Sequence, residues 1–362
     1  MLIENWLFLS SALIYVMLIG FIGSLERRFN REEARPLKIE DLTVIVPFRN
    51  EVDRIRPLLQ SLKEQKMLPK MLFVDDHSTD STDALIREVL LDGNYEIIKL
   101  TESKGKKFAV SEGISRAQTE FIITLDADVK LKDTYFENLE IGEGVDLCIL
   151  PVRTIGIGGL SNFFAIDYNL MQWINQLSYL YRKAHTCSGA NLLFKRSFYL
   201  ETESKRKDME ILSGDDHFLL NQAYVEGRKV EMNTSPSLLV ETNSSDSLMD
   251  NLSQRKRWFS KTQWLPDAWG KQVGLFSMLI LLSVYLLWGY MSIVDPKYFL
   301  AFFLLNGFVL RRLSMLGKTE PMSLISAGSF LVVYPFYALI FLMSYPFLQV
   351  EWKDRPIKKP AK

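Results

Sequence analysis

The sequence predicts a mainly parallel α/β domain framed by membrane-spanning helices. Three observations carry this. Apolar runs and helical faces alternate between residues 42 and 152. Acidic clusters fall where several of those runs end. Outside them, Trp6–Gly23, Val273–Val294, Tyr298–Leu310 and Ser323–Val350 hold 18, 22, 13 and 28 residues without a charge.

The elements can be justified in order. A helix needs ~20 apolar residues to cross a bilayer, so Trp6–Gly23 is just long enough. It lacks the basic leader of a signal peptide, and Arg27, Arg28 and Arg31 follow it directly. Basic flanks stay cytoplasmic, which places the next domain in the cytosol. Leu42–Val46 is a β-branched run, and Ile55, Leu58, Leu59 and Leu62 form a helical face after it. Met71–Val74 is the second strand. Thr79-Asp80-Ser81 supplies cap residues for a helix carrying Leu85, Val89 and Leu90. Glu96–Leu100, a helix over Lys106–Ala117, Phe121–Leu125 and Val145–Val152 complete the pattern. Strands joined by helical crossovers make a parallel sheet, whose ligands bind beyond the carboxyl ends.

Phe163–Tyr181 is aromatic-rich but carries Asp167 and several amides. It reads as an amphipathic helix in the membrane plane, with a buried core helix as the alternative. Two or three spans follow, with Asp295-Pro296-Lys297 as a tight turn. The last stretch either crosses, leaving Lys353, Arg355, Lys358 and Lys359 outside, or folds back at Tyr334-Pro335. The plan is therefore a span over 1–25, a soluble domain over 40–245, a juxtamembrane segment over 246–272, spans over 273–350 and a basic tail over 351–362.

Composition excludes other classes. Lys+Arg and Asp+Glu number 43 each, so no basic excess points to nucleic acid. Two cysteines, Cys148 and Cys187, make neither a disulfide framework nor a CxxC zinc site.

Several clusters carry chemistry. Asp75 and Asp76 end the second strand, where acids either cap the next helix or accept hydrogen bonds from a base or ribose. Asp126 and Asp128 are two apart on an extended chain and point the same way, so they can grip one hard divalent ion or simply form a turn. Asp215 and Asp216 open a helix, as caps or, for Asp216, as a general base. His217 is either a ligand to metal or phosphate or a plain cap residue. Lys104, Lys106 and Lys107 surround Gly105 in a basic loop. Gln254-Arg255-Lys256-Arg257-Trp258 is either a headgroup anchor or a site for a departing diphosphate.

Taken in order, these motifs resemble the family 2 glycosyltransferases, whose fold is called GT-A. The matches are TVIVPFRNE from Thr43, VDDHSTDST from Val74, the KGK–A–EG stretch from Lys104, LDADV from Leu125, SGAN at Ser188–Asn191, SGDD at Ser213–Asp216 and QRKRW from Gln254. They cover about residues 40 to 265 and are most similar to membrane-bound members such as ceramide glucosyltransferase-like and cellulose or hyaluronan synthase-like enzymes. Gly214-Asp215 departs from the Thr-Glu frequent in relatives. Asp354 stands where lipid-directed relatives carry a glycine.

The resemblance implies a doubly wound mixed GT-A sheet and an inverting sugar transfer. Asp75 or Asp76 would bind the nucleoside. Asp126 and Asp128 would hold Mg2+ or Mn2+ on the diphosphate. Asp216 would be the base. Lys104, Gln254, Arg257 and Trp258 would contact the donor, and Gly189, Asn191 and Asp215 would face the acceptor. The expected partners are a nucleotide sugar, commonly a UDP-sugar, and a membrane lipid or lipid-linked acceptor. A processive polysaccharide synthase is the competing expectation. Either would be an integral protein of the bacterial inner-membrane type with its catalytic domain in the cytosol.

Overall fold

The computed structural model describes residues 34–91, 93–102, 104–203, 205, 214–262, 268–316, 322–348, 351–352 and 355–356, with isolated positions between 13 and 24. The expected N-terminal span and Ser213 lie outside them, apart from helical positions such as Leu13, Met17 and Phe21. The chain divides into two compact units. One holds residues 31–165, 186–266 and 349–362. The other holds 1–30, 166–185 and 267–348.

In the first unit the strands are β1 (Ala34–Pro36), β2 (Leu42–Phe48), β3 (Lys70–Asp75), β4 (Tyr95–Lys99), β5 (Phe121–Leu125), β6 (Glu140–Gly142), β7 (Leu147–Ile149), β8 (Val152–Ile155), β9 (Asn191–Lys195), β10 (Val230–Met232) and β11 (Val240–Asn243), with a short pair, Glu351–Trp352 and Arg355–Pro356, in the tail. Seven of them form one sheet in the order β10-β7-β9-β5-β2-β3-β4. β2, β3, β4 and β5 pair in parallel, as the helical crossovers require. β9 runs against both neighbours, so the sheet is mixed. β2 and β5 are buried along their whole length, which explains their unbroken apolar character.

The crossover helices are α1 (Arg56–Lys63), α2 (Thr82–Val89) and α3 (Lys106–Arg116). α3 packs tightly on β2 because Gly113 has no side chain. A Cβ there would come 2.8 Å from Ile45 Cγ2. The expected strand over Val145–Val152 is two pieces, β7 and β8, with Leu150 and Pro151 between them. Proline cannot donate to a ladder, and β8 instead joins a separate pair with β11. α4 (Gly159–Tyr181), α5 (Arg196–Glu203), α6 (Asp215–Val225) and α7 (Leu248–Thr262) follow. The QRKRW run lies within α7, in the first unit.

The second unit holds most of α4 and three long helices, α8 (Trp269–Val294), α9 (Lys297–Leu316) and α10 (Leu324–Ser344). All three are long and apolar enough to cross a membrane. α10 passes through Pro335 as one helix, so no fold-back occurs there. Membrane helices tolerate proline where neighbours re-satisfy the backbone. α9 and α10 meet at Gly328, where a Cβ would overlap the Phe303 ring. Small residues allow such close approach in apolar surroundings. Tyr285 on α8 donates to Leu331 O on α10.

Phe163–Tyr181 is partly buried, as the core-helix alternative expects, with half-buried residues between the buried ones. Phe163, Phe164, Ile166 and Trp173 are buried, and no residue from Phe163 to Leu180 is fully exposed. Its end is fastened within the second unit. Trp269 Nε1 donates to Ser178 Oγ and Lys183 O at 2.9 and 3.0 Å, and its ring stacks on Tyr181.

Candidate active site

The site forms beyond the carboxyl ends of β2, β3 and β5. The two loops after β2 and β3 are stitched together. Asn50 Oδ1 accepts from Thr79 N at 2.8 Å, Glu51 N donates to Thr82 Oγ1 at 2.9 Å, and Val52 N donates to Asp80 Oδ2 at 3.1 Å. Asp80, which precedes the N-cap Ser81 and accepts Thr82 N–H at 3.1 Å through Oδ1, is thus also a cross-loop tie.

Asp75 and Asp76 separate in role. Asp75 Oδ1 accepts Ser78 N–H at 2.7 Å, and its other oxygen makes no further hydrogen bond among the described residues. Asp76 is fully buried, and both its oxygens are engaged. Oδ2 accepts Gly105 N–H at 3.0 Å and Oδ1 pairs with His77 Nδ1 at 3.2 Å. Burial raises the Asp76 pKa, opposed by the Gly105 N–H, His77 and Arg49.

Asp76 therefore fixes the loop that starts α3. Gly105 sits at φ 121°, a backbone that side chains disfavour. The next residue, Lys106, points its ammonium at Asp126 Oδ1, 2.5 Å away. Burial works against the Lys106 charge, but Asp126, Asp215 and Asp216 outweigh it and hold its pKa above the usual lysine range. Lys104, the lysine expected to contact the donor, is exposed on the loop instead. The two lysines cannot be told apart by composition. The turn at Gly105 directs the second one inward.

Asp128, two residues on, is half-buried like Asp126. Burial first, then the negative charges of Asp126 and Glu51, push its carboxyl up to about 6, with Arg54 opposing. This excess of negative charge fits a hard cation. Among the described residues no group of three or more Asp, Glu, His or Cys side chains forms a metal-holding cluster. Two carboxylates with diphosphate and water would complete a magnesium-type shell.

Asp216 comes from the first turn of α6. Gly214 caps that helix at φ 90°, which accounts for glycine at this position. Asp216 Oδ2 accepts Gly189 N–H at 2.9 Å, and Oδ1 accepts His217 N–H at 2.8 Å. A Cβ on Gly189 would lie 3.4 Å from Lys106 Nζ and 3.7 Å from Asp216 Oδ2, so Gly189 belongs to the site. His217 Nε2 pairs with Thr186 Oγ1 at 2.7 Å, which makes it a strut to the same loop.

Asn191 stands apart from its expected acceptor-side role. Its side chain is fully buried, accepts Tyr135 Oη–H at 2.5 Å and donates to Pro151 O and Leu238 O at 2.9 Å each. All of these bonds lie within the fold, so it supports the Gly189 loop from behind. β9 pairing with β5 brings that loop beside Asp126.

From α7, Arg257 lies close enough to Asp126 and Asp216 for both to act on it electrostatically. Burial lowers its pKa without discharging a guanidinium, and those two acids oppose the shift. Its Nε is buried with no hydrogen-bond partner among the described residues. Gln254 and Trp258 are half-buried on the same helix, with the Arg255 guanidinium 5.9 Å from the Trp258 ring centre.

Comparisons with known proteins bear on the family and the fold. Residues 43–202 match the domain described as glycosyl transferase family 2. The succinoglycan biosynthesis protein ExoO of Rhizobium meliloti (strain 1021) is 24% identical over 210 residues, covering 55% of this chain and 60% of that protein. A poly-beta-1,6-N-acetyl-D-glucosamine synthase of Staphylococcus epidermidis is 22% identical over 222 residues, covering 55% and 53%. The chain thus spans less than two thirds of the length of either relative. Among solved structures, the mannosyltransferase PcManGT from Pyrobaculum calidifontis, in complex with GDP-Man and Mn2+, aligns over 96% of both chains at 17% identity with a TM-score of 0.53. At that identity the likeness speaks to the fold alone. With the matched segment and the shared architecture in place, residues 43–202 carry a glycosyl transferase family 2 domain, and the mixed sheet has the GT-A fold.

Proposed function

We propose that the protein moves a sugar from a nucleotide sugar to a hydroxyl presented at the membrane, with inversion at the anomeric carbon. The carrying observation is the meeting of two cations, Lys106 and Arg257, with Asp126 and Asp216. Separate loops and helices bring these groups together, which helix capping alone does not require.

In this reading Asp75 binds the nucleoside. Lys106 and Arg257 take the diphosphate, with Gln254 and Trp258 beside them. A divalent ion held by Asp126 and Asp128, Mg2+ or Mn2+, would supply stabilisation of the negative charge gathering on the leaving diphosphate. Asp216 accepts the proton of the attacking hydroxyl. Two backbone N–H groups aim its carboxylate. Direct displacement needs no second nucleophile.

The favoured acceptor is a lipid or lipid-linked sugar. Three apolar helices would hold the domain where such hydroxyls lie, in an inner-membrane protein with its catalytic side in the cytosol. A second reading, a processive polysaccharide synthase, is favoured by the names of both curated relatives.

The test is release of UDP or GDP from a panel of nucleotide sugars by purified, detergent-solubilised protein with membrane lipids. Metal-dependent release, with label in a solvent-extractable lipid, supports the first reading. Label in a high-mass polymer supports the second. Release that persists unchanged in Asp216→Asn sinks the assignment of the base.

A further inference from the structure

We propose that Lys106 is an internal counter-cation that competes with a divalent metal ion for Asp126, so that the ion binds tightly only when a nucleoside diphosphate draws the ammonium away. The inference rests on the donor and metal reading above and adds an order to it.

The argument begins with one oxygen. Lys106 Nζ lies 2.5 Å from Asp126 Oδ1. A divalent ion on that carboxylate would sit ~2.0–2.6 Å from its oxygen. An ion on the other oxygen would share one carboxylate with the ammonium, and the repulsion between the two cations grows as the site dries. Asp128 alone is a single carboxylate, so an ion that fails to win Asp126 loses half of its protein ligands.

The ammonium has somewhere to go. A lysine carries a compact charge on a flexible stem. The backbone beneath it stays in place. Asp76 holds the Gly105 N–H, and α3 is seated on β2 at Gly113. Only the side chain has to swing. A diphosphate brings more negative charge than Asp126 and offers phosphate oxygens as acceptors. Moving Lys106 onto it frees Asp126 for the ion, and the ion then gains phosphate oxygens as well. Metal and nucleotide would therefore bind with positive coupling, and each would raise the affinity of the other by the same factor.

A plain diphosphate-binding lysine predicts something different: its loss weakens nucleotide binding and leaves the ion alone unaffected. The experiment uses the full chain in detergent and reads free Mn2+ by its electron paramagnetic resonance signal, with and without UDP or GDP. Wild type is compared with Lys106→Met, Lys106→Gln, Lys106→Arg and Asp126→Asn. Expected is Mn2+ binding without nucleotide that tightens on the order of tenfold in the Met and Gln variants, the scale of one removed neighbouring charge. With nucleotide present the order reverses, and the same variants bind the Mn2+–nucleotide pair more weakly than wild type. Lys106→Arg keeps the charge and stays near wild type for Mn2+ alone. The two neutral variants keep the test standing if one misfolds. Unchanged Mn2+ affinity in both neutral variants, while Asp126→Asn abolishes binding, overturns the competition and leaves the metal site intact. Mn2+ binding that is absent in every variant, with or without nucleotide, overturns the metal reading and this inference with it.

Discussion

Gly189 donates its backbone N–H to Asp216 Oδ2 at 2.9 Å, joining the loop before β9 to the first turn of α6. The bond aims a carboxylate into the site from a helix end, and Asn191 braces the loop behind it through Tyr135, Pro151 and Leu238. Asp216→Asn keeps the size of the side chain and removes its basicity. Turnover is expected to fall roughly a hundredfold to ten-thousandfold, the usual worth of a general base. Nucleotide binding, measured by calorimetry, should stay within a few-fold of wild type. Equal loss of binding and turnover would mean the residue holds the site together instead of taking a proton.

Asp128 predicts a pH signature. Its folded pKa, about 6, lies above the ordinary aspartate value. A carboxyl raised in this way adds stability that is fully present below its unfolded pKa, about 3.9. That contribution is lost as pH rises through about 6. A divalent ion can take the place of the proton, so stabilisation by Mn2+ should grow as pH rises from about 5 to about 7.5. Thermal unfolding with and without Mn2+ across that range, with UDP or GDP present throughout, measures it. Asp128→Asn should flatten the dependence, which separates Asp128 from Asp76, whose pKa is raised too. A Mn2+ shift of equal size at both ends of the range would rule the prediction out.

Asp76 is predicted to act through the loop it holds. Asp76→Asn retains an acceptor for the Gly105 N–H, whereas Asp76→Ala leaves a buried donor unpaired at a cost of about 1–3 kcal/mol. Hydrogen exchange of the segment 101–110 should quicken in the alanine variant and change little in the asparagine variant. Asp75→Ala should leave that segment protected and weaken nucleoside binding instead. Faster exchange in Asp75→Ala would reverse the division of labour between the two acids.

Much of this was legible in sequence because burial writes itself into composition. β2 and β5 are covered on both faces and so read as unbroken apolar runs. The strand-end carboxylates stand out because nothing in a core would place them there. Strand direction is different. Asn191–Lys195 follows the SGAN motif without standing out as a strand, and its apolar content is the same whichever way it runs, so only the resemblance implied a mixed sheet. Nor was the break at Pro151, since the apolar pattern continues across it. Lys104 and Lys106 differ only by the turn at Gly105, a backbone property. Asp75 and Asp76 are chemically identical and divide their work through their neighbours. Pro335 suggested a bend, yet the helix continues because the apolar run is long enough to need it whole.

Arg257 offers the sharpest separation of nucleoside from diphosphate. Its guanidinium is buried near Asp126 and Asp216, with Nε lacking a hydrogen-bond partner among the described residues. A planar, delocalised cation in that position suits a phosphate that can accept two bonds at once. Arg257→Lys keeps the charge and loses the fork. Affinity for UDP or GDP is expected to drop on the order of tenfold, the loss of one charge-assisted hydrogen bond. Arg257→Met should drop it further. Neither should change competition by the free nucleoside, which carries no phosphate. Titrations of uridine or guanosine against the matching diphosphate read this directly. Parallel losses for nucleoside and diphosphate would place Arg257 in the architecture of the site and outside the diphosphate contact.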